Sequence, residues 1–171
     1  MDYHYLAFDI GATSGRSILG TLSASEELTL QEITRFPNRM ININGNLYWN
    51  IYSLFEEIKK GIRETVSMGI VPQSIGIDTW GVDYGCVSED GTLTGLPNAY
   101  RDRRTIGAGE KFFTSCMGAR ELYGIAGIQH LDFNTLFQLN EHRDDCSHNL
   151  CIEICICARS SFIPVDRQYC Y

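Results

Sequence analysis

The sequence predicts a mixed α/β domain, in which an antiparallel sheet made by the first strands is flanked by helices. Apolar runs on both sides of a short loop of small and hydroxyl residues at 11–15 indicate two strands joined by a tight turn. Residues 28–36 alternate in the manner of a third antiparallel strand. Apolar residues at helical spacing between 51 and 66, with charged residues facing outward, indicate a helix that covers the sheet.

The remaining elements follow in order along the chain. Asn44-Gly45 lies between apolar residues and indicates a turn, while Asn50 can cap the first helix and Gly69 can end it. Strands are predicted at 5–10, 16–22, 28–36, 74–78 and 82–87, and helices at 51–68, 104–117, 119–125 and 136–141. No internal repeat or linker interrupts this order.

Length and composition are typical of one globular domain that buries a core. The chain has 171 residues, of which 44% are hydrophobic and 20% charged. Its net charge of −7 argues against nucleic acid as the main partner. No apolar run approaches the roughly 18 residues of a membrane span, and the acidic start lacks the apolar stretch of a signal peptide. We therefore expect a cytoplasmic protein without a membrane partner; the oligomeric state is not indicated.

The cysteines are concentrated near the carboxyl end. Only Cys86 and Cys116 precede residue 146, and the others are Cys146, Cys151, Cys155, Cys157 and Cys170. Their C-x3-C-x-C spacing matches no common zinc site. We interpret residues 146–171 as an aberrant tail that a frameshift or misassembly would produce.

The turn between the first two strands has the composition of a phosphate site. A dinucleotide-binding loop would open a helix, whereas strand-like residues follow here, and a P-loop would carry a lysine that is missing. A third interpretation is a phosphate hairpin, in which an acid at the strand end holds a metal through water and backbone N–H groups face the phosphates. A plain hairpin with a glycine-rich turn is an equally good alternative for this stretch alone.

A second stretch, Asp78-Thr79-Trp80-Gly81-Val82-Asp83, has the composition of a carbohydrate site. Carboxylates accept hydrogen bonds from hydroxyl groups, an aromatic face covers C–H groups, and glycine lets the backbone approach a ligand. The alternative is a turn between strands that contains a core tryptophan.

The chain resembles the FGGY carbohydrate kinase family over roughly residues 5–143. The stretches that carry the resemblance occur in the family's order: F-D-I-G-A-T-S-G-R, R-F-P-N, G-N-L-Y-W-N-I, S-I-G-I-D-T-W-G-V-D-Y-G, L-P-N-A-Y-R-D-R-R-T and G-I-Q-H-L-D-F-N-T-L-F-Q-L. D-T-W-G-V-D and Y-R-D-x-R-T distinguish it from xylulokinase- and glycerol kinase-like members. The resemblance implies an actin-like ATPase (ribonuclease H-like) fold. Residues 1–145 would then be an incomplete N-terminal kinase domain, with the C-terminal domain absent.

The resemblance also implies a reaction and its phosphate site. The reaction would transfer the γ-phosphoryl group of ATP to the C1 hydroxyl of L-rhamnulose, a small-molecule sugar, with Mg²⁺ neutralising charge. Asp9 would hold the magnesium ion through water. The ATP phosphates would be lined by Ala12, Thr13, Ser14, Gly15 and Arg16.

For the sugar, the resemblance implies that Gly81 makes a backbone contact. The sugar pocket or its surroundings would also include Asp78, Trp80, Asp83, Arg101 and Asp102. For Arg101 and Asp102 the alternative is a surface ion pair, which contributes little to stability. Gln129 and His130 are interpreted as structural residues.

No catalytic residue is assigned, because the family's general base is an aspartate of the second domain and no motif here matches it. We therefore expect the chain to lack turnover by itself. The alternatives are a non-catalytic sugar- or nucleotide-binding domain, another FGGY ketose kinase, and an actin-like ATPase or chaperone-type domain. The last of these leaves Trp80 and its D-T-W-G-V-D stretch unexplained.

Overall fold

The structure, a computed structural model, describes residues 2–142, 153–156 and 163–164, the last two segments by their backbone only. These residues form two compact units. The first unit comprises 2–39, 50–80 and 163–164, and the second comprises 40–49, 81–142 and 153–156. The predicted boundary at residue 145 and most of the predicted tail 146–171 lie outside the described residues.

The elements run in the following order. They are β1 (Tyr3–Ile10), β2 (Ser14–Leu22), β3 (Leu28–Pro37), β4 (Met40–Ile43), β5 (Asn46–Trp49), α1 (Ile51–Ser67), β6 (Ser74–Thr79), β7 (Tyr84–Val87), a 3₁₀ helix (Arg103–Thr105), α2 (Ala108–Ser115), α3 (Ala119–Ala126), α4 (Thr135–His142), β8 (Glu153–Ile156) and β9 (Ile163–Pro164). None of the helices in the described part is long and apolar enough to cross a membrane.

The sheet of the first unit confirms the predicted mixed α/β class. Its strands lie in the order β3-β2-β1-β6-β9, with β1, β2 and β3 antiparallel and β6 parallel to β1. The register pairs Asp9 with Arg16 across β1 and β2, and Asp9 with Asp78 across β1 and β6. Paired residues of neighbouring strands share a face of the sheet, so these three side chains lie on one face.

The helix α1 packs against this sheet and carries the end signals that its sequence predicted. Asn50 accepts a hydrogen bond from the Ser53 amide at 3.1 Å, and Gly69 follows the helix with φ +79°. A Cβ at Gly61 would lie 2.7 Å from the Phe8 ring, so a glycine is needed where the helix crosses β1. The buried core residues are Leu6, Phe8, Ile10, Phe36 and Leu54. Each contributes roughly 1.5–3 kcal/mol on burial.

The second unit contains the β4–β5 hairpin, the β7–β8 pair and three short helices. Positive φ at Asn44 and Gly45 gives the hairpin the turn that their sequence predicted. The helices α2 and α4 meet through Phe113, whose ring lies 5.6 Å from that of Phe137 and 4.9 Å from that of His130 in the loop between α3 and α4.

Two predicted elements of the second unit differ from their expected bounds or continuity. The strand predicted from residue 82 begins at Tyr84, because Val82 adopts φ +68° and leaves the extended conformation. The helix predicted over 104–117 is a 3₁₀ helix and α2, separated by Gly107 at φ +77°.

Candidate functional site

The first candidate site is the turn from Asp9 to Arg16, which we call the phosphate turn. Its conformation is fixed by three hydrogen bonds. The backbone amide of Gly11 donates to the Ser14 carbonyl at 2.9 Å. The backbone amide of Asn38 donates to the Thr13 carbonyl and its side-chain Nδ2 to the Gly11 carbonyl, both at 3.0 Å. These bonds occupy carbonyl oxygens of the turn. No residue from 9 to 16 has a positive φ, so the turn is held without backbone strain.

The donors of the phosphate turn are left available. Within the described residues, the amides of Ala12 and Thr13 and the hydroxyl groups of Thr13 and Ser14 have no hydrogen-bond partner, and Thr13 and Ser14 are exposed. Several adjacent donors without protein acceptors form a concavity suited to an anion. The sequence-predicted residues Ala12, Thr13 and Ser14 are therefore brought together with their donors exposed.

Gly15 has a packing role that the sequence did not reveal. It is buried, and a Cβ at this position would lie 2.3 Å from Cζ of the core residue Phe36. The ring of Phe36 occupies the space that a side chain would need. The absence of a side chain at Gly15 is therefore required by the core beneath the turn.

Asp9 and Arg16, at the two ends of the turn, form an ion pair. Arg16 donates to Asp9 Oδ2 from Nη2 at 2.5 Å and from Nε at 2.9 Å, and both side chains are nearly half exposed. Asp9 Oδ1 accepts no hydrogen bond in the described part of the chain. Asp78, predicted at the sugar, is exposed and lies one strand away from Asp9 on the same face. Carboxylate oxygens of this kind suit Mg²⁺.

The second candidate site is the connection Gly81–Asp83, which we call the Gly81 loop. Asp83 is completely buried, and three donors converge on its carboxylate: Trp49 Nε1 at 2.6 Å and the Tyr100 amide at 3.2 Å bond to Oδ2, and Gln138 Nε2 bonds to Oδ1 at 3.0 Å. The carboxylate predicted at the sugar therefore faces the interior. It supports the loop from behind.

Trp49 and Gln138 are the residues that sequence reasoning missed. Both are fully buried, and both lie within stretches that carried the family resemblance, although no role was given to them. The sequence carries no local signal for Gln138, because the residues three and four positions away from it in the chain are polar as well. A buried amide must find hydrogen-bond partners, and here it finds the carboxylate of Asp83.

The predicted residues Arg101 and Asp102 do not pair with each other. Arg101 is exposed and lies over the ring of Tyr100, 5.3 Å from its centroid. Asp102 is buried and accepts hydrogen bonds from the amides of Leu47 at 2.6 Å and Arg104 at 2.8 Å. The surface ion pair that was the alternative is thus not formed between these two residues.

The two remaining predicted residues near the sugar differ in exposure. Trp80 is partly buried and packs against the apolar core of the first unit. Gly81 is exposed, its φ lies outside the left-handed region, and an added Cβ would meet no atom within 4 Å. Neither conformation nor packing within the protein therefore requires a glycine at position 81.

Two of the three comparisons with known proteins find kinases. A scan against protein-family models finds no match. The chain is 48% identical over 143 residues to the rhamnulokinase of Bacteroides thetaiotaomicron and 44% identical over 146 residues to that of Pectobacterium carotovorum. These matches cover 84% and 85% of this chain. The chain spans 29% of the length of each relative.

Solved structures confirm the actin-like ATPase fold. A gluconate kinase from Lactobacillus acidophilus matches 90% of this chain with a TM-score of 0.74, at 11% identity and over 31% of its own chain. A Plasmodium falciparum glycerol kinase with ADP matches 86% of this chain with a TM-score of 0.70, at 10% identity and over 30% of its own chain. At such identities the likeness concerns the fold alone.

Proposed function

Because the chain is homologous to the rhamnulokinases over most of its length, we propose that it forms the phosphate-binding and sugar-facing part of a rhamnulokinase-like carbohydrate kinase. The reaction is the transfer of the γ-phosphoryl group of ATP to the C1 hydroxyl of L-rhamnulose. The observation that carries this proposal is the 48% identity over 143 residues to a rhamnulokinase. The geometry of the two candidate sites supports it.

At the phosphate end, the turn supplies donors to the phosphate oxygens of ATP. The amides of Ala12 and Thr13 and the hydroxyls of Thr13 and Ser14 have no other acceptor in the described residues, and the guanidinium of Arg16 adds positive charge. Asp9 fits a magnesium ion held mainly by water and phosphate, since one of its carboxylate oxygens accepts no hydrogen bond there. When bound, such an ion would supply positive charge that offsets the charge on the transferring group.

At the sugar end, the backbone of Gly81 contacts the substrate, because its exposed Cα leaves room for a ligand. Asp83 acts from behind the loop through its buried hydrogen bonds. Arg101 is exposed beside Tyr100, and its contact with the sugar stays a prediction. The roles of Asp78 and Trp80 at the sugar stay predictions.

The general base is not assigned to any carboxylate of this chain. We propose that residues 1–145 correspond to the N-terminal kinase domain of the relatives and that 146–171 is unrelated to it. On this proposal the protein has no nucleic-acid or membrane partner and is located in the cytoplasm. Residues 1–145 then bind ATP and the sugar.

Calorimetry and a chimeric enzyme test the proposal. We expect the chain to bind L-rhamnulose more tightly than D-xylulose, D-gluconate or glycerol. We also expect it to reach its full affinity for ATP only when Mg²⁺ is present. In a chimera, residues 1–142 replace the matching part of the B. thetaiotaomicron rhamnulokinase. A coupled ATP assay is expected to show phosphorylation of L-rhamnulose by the chimera.

Two outcomes would contradict parts of this account. A folded chimera that phosphorylates D-xylulose but not L-rhamnulose would overturn the substrate assignment. ATP hydrolysis by the chain that no sugar affects would favour an actin-like ATPase instead.

A further inference from the structure

The Gly81 loop contains a strained residue. Val82 has φ +68°, in the left-handed region that β-branched residues rarely adopt. The other two non-glycine residues with positive φ in the described chain, Glu26 and Asn44, are exposed residues of turns between strands. The neighbouring Gly81 would tolerate this conformation at no cost, yet its own φ is not left-handed. The strain is therefore at the β-branched residue of the pair.

Two side chains at the start of α4 hold Val82 in this conformation. Thr135 Oγ1 donates to the Val82 carbonyl at 2.8 Å, and Gln138 Nε2 donates to the same oxygen at 3.2 Å. Strained backbone persists only where its surroundings over-determine it. The two hydrogen bonds fix the orientation of the peptide between Val82 and Asp83.

The amide of Gln138 cannot turn away from the loop. Its Oε1 accepts a hydrogen bond from Arg104 Nη2 at 2.6 Å, while Nε2 also bonds to Asp83 Oδ1 at 3.0 Å and to the Phe133 carbonyl at 2.9 Å. Gln138 is completely buried. The donor side of this amide therefore faces the Gly81 loop, and the acceptor side faces Arg104.

We propose that Thr135 and Gln138 are positioning residues of the sugar site, which hold Val82 in its strained conformation so that the backbone of Gly81 is presented to the sugar in one orientation. This inference rests on the proposed function, in which Gly81 contacts the substrate. Rigid support from behind lowers the conformational entropy that the loop loses when a ligand binds. Relaxing Val82 should then cost affinity and leave stability intact.

The test compares the variants Val82→Gly, Thr135→Val and Thr135→Ser in the 171-residue chain. Asn44→Gly is the matched control, because it relieves positive φ at a turn of the same unit without touching the loop. For V82G we expect a melting temperature within about 3 °C of wild type and an affinity for L-rhamnulose reduced about fivefold or more. For T135V we expect a similar loss of affinity. T135S should retain the hydroxyl donor and therefore the affinity for L-rhamnulose, and N44G should bind the sugar as the wild-type chain does.

The outcomes separate this inference from the proposed function. If the wild-type chain binds L-rhamnulose and V82G and T135V bind it equally well, the positioning role is wrong and the proposed function stands. If T135S loses as much affinity as T135V, the hydroxyl donor is not what holds the loop, and the inference fails. If the folded wild-type chain binds none of the sugars, the proposed function and this inference both fail.

Discussion

The phosphate turn and the Gly81 loop each follow a strand of the same sheet, yet they are held in opposite ways. The phosphate turn has no left-handed residue, is fixed by Asn38 and its own backbone, and leaves its donors exposed. The Gly81 loop contains the strained Val82 and is fixed by completely buried side chains, Asp83 and Gln138.

The difference follows from what each segment would bind. A phosphate group carries several equivalent oxygens and full negative charge, so a set of adjacent exposed donors recognises it without a single fixed direction. A neutral hydroxyl group gains little from charge, and its recognition depends on the orientation of individual hydrogen bonds. A loop that recognises a sugar therefore gains from rigid support, and the buried network around Asp83 provides it.

The largest effect is expected for Asp83→Ala. The substitution removes the acceptor of Trp49 Nε1 and of the Tyr100 amide, which should lower the free energy of unfolding by about 3–5 kcal/mol. Chemical denaturation followed by circular dichroism measures this change. Asp78→Ala removes an exposed carboxylate and should change stability by less than about 0.5 kcal/mol. Equal stability of the two variants would show that the network does not support the loop.

A pair of glycines distinguishes the two segments next. Gly15→Ala should destabilise the fold by about 1–3 kcal/mol, because its Cβ would lie 2.3 Å from the Phe36 ring. Gly81→Ala meets no atom within 4 Å and should leave the unfolding free energy within about 0.5 kcal/mol. The affinity of the Gly81→Ala variant for L-rhamnulose should nevertheless fall about tenfold, because the added methyl group would keep the sugar from the backbone at a cost of about one hydrogen bond.

Gly95→Ala is the control for the Gly81 substitution. Gly95 belongs to the same unit, is exposed and also has open space around its Cα. It should affect neither stability nor sugar binding. If G81A binds L-rhamnulose as well as G95A does, Gly81 is not in contact with the sugar.

A smaller change in stability is expected from Arg16→Ala. Its ion pair with Asp9 is nearly half exposed, and such pairs contribute about 0–1 kcal/mol. The affinity for ATP with Mg²⁺ should fall about tenfold, since a charge-assisted hydrogen bond to phosphate is lost. Lys59→Ala removes a comparable exposed pair with Glu56 on α1 and is the control in the same calorimetric titration. Equal ATP affinity of both variants would remove Arg16 from the phosphate site.

The smallest effect concerns Asp90, an exposed carboxylate of the second unit that contrasts with the buried Asp83. The Ser88 hydroxyl and then the Thr92 amide bond to Asp90 and lower its pKa from 3.8 to about 2. Because the pKa is lowered on folding, the contribution to stability is present above pH 3.8 and is lost as the pH falls towards 2. An NMR titration should place the midpoint near 2, and Ser88→Ala should raise it. A midpoint at 3.8 in both proteins would contradict the bonded turn.

Local signals in the sequence predicted most of the fold. The cap at Asn50, the turn at Asn44-Gly45 and the helical spacing after residue 51 depend on neighbours within a few positions, and the structure confirms them. The tight turn between β1 and β2 was likewise predictable, since its small residues are consecutive in the chain; its role in binding phosphate stays a prediction.

The Gly81 loop was predicted only in part, because its support is not local. Trp49 and Gln138 are separated from Asp83 by 34 and 55 positions in the chain. A carboxylate that follows a strand has the same sequence pattern whether it faces a ligand or the interior. The left-handed conformation of Val82 has no sequence signal either, since a valine in that context indicates a strand.

The most direct test of the account is an NMR titration of the ¹⁵N-labelled chain, first with L-rhamnulose and then with a non-hydrolysable ATP analogue and Mg²⁺. We predict that the sugar shifts the amide signals of Gly81, Val82 and Asp83, and that the nucleotide shifts those of Ala12, Thr13 and Ser14. D-xylulose at the same concentration should produce smaller shifts at the Gly81 loop. If the chain is folded and neither ligand shifts the amide signals of these two segments, the result would contradict the central claim that the phosphate turn and the Gly81 loop bind the two substrates of a sugar kinase.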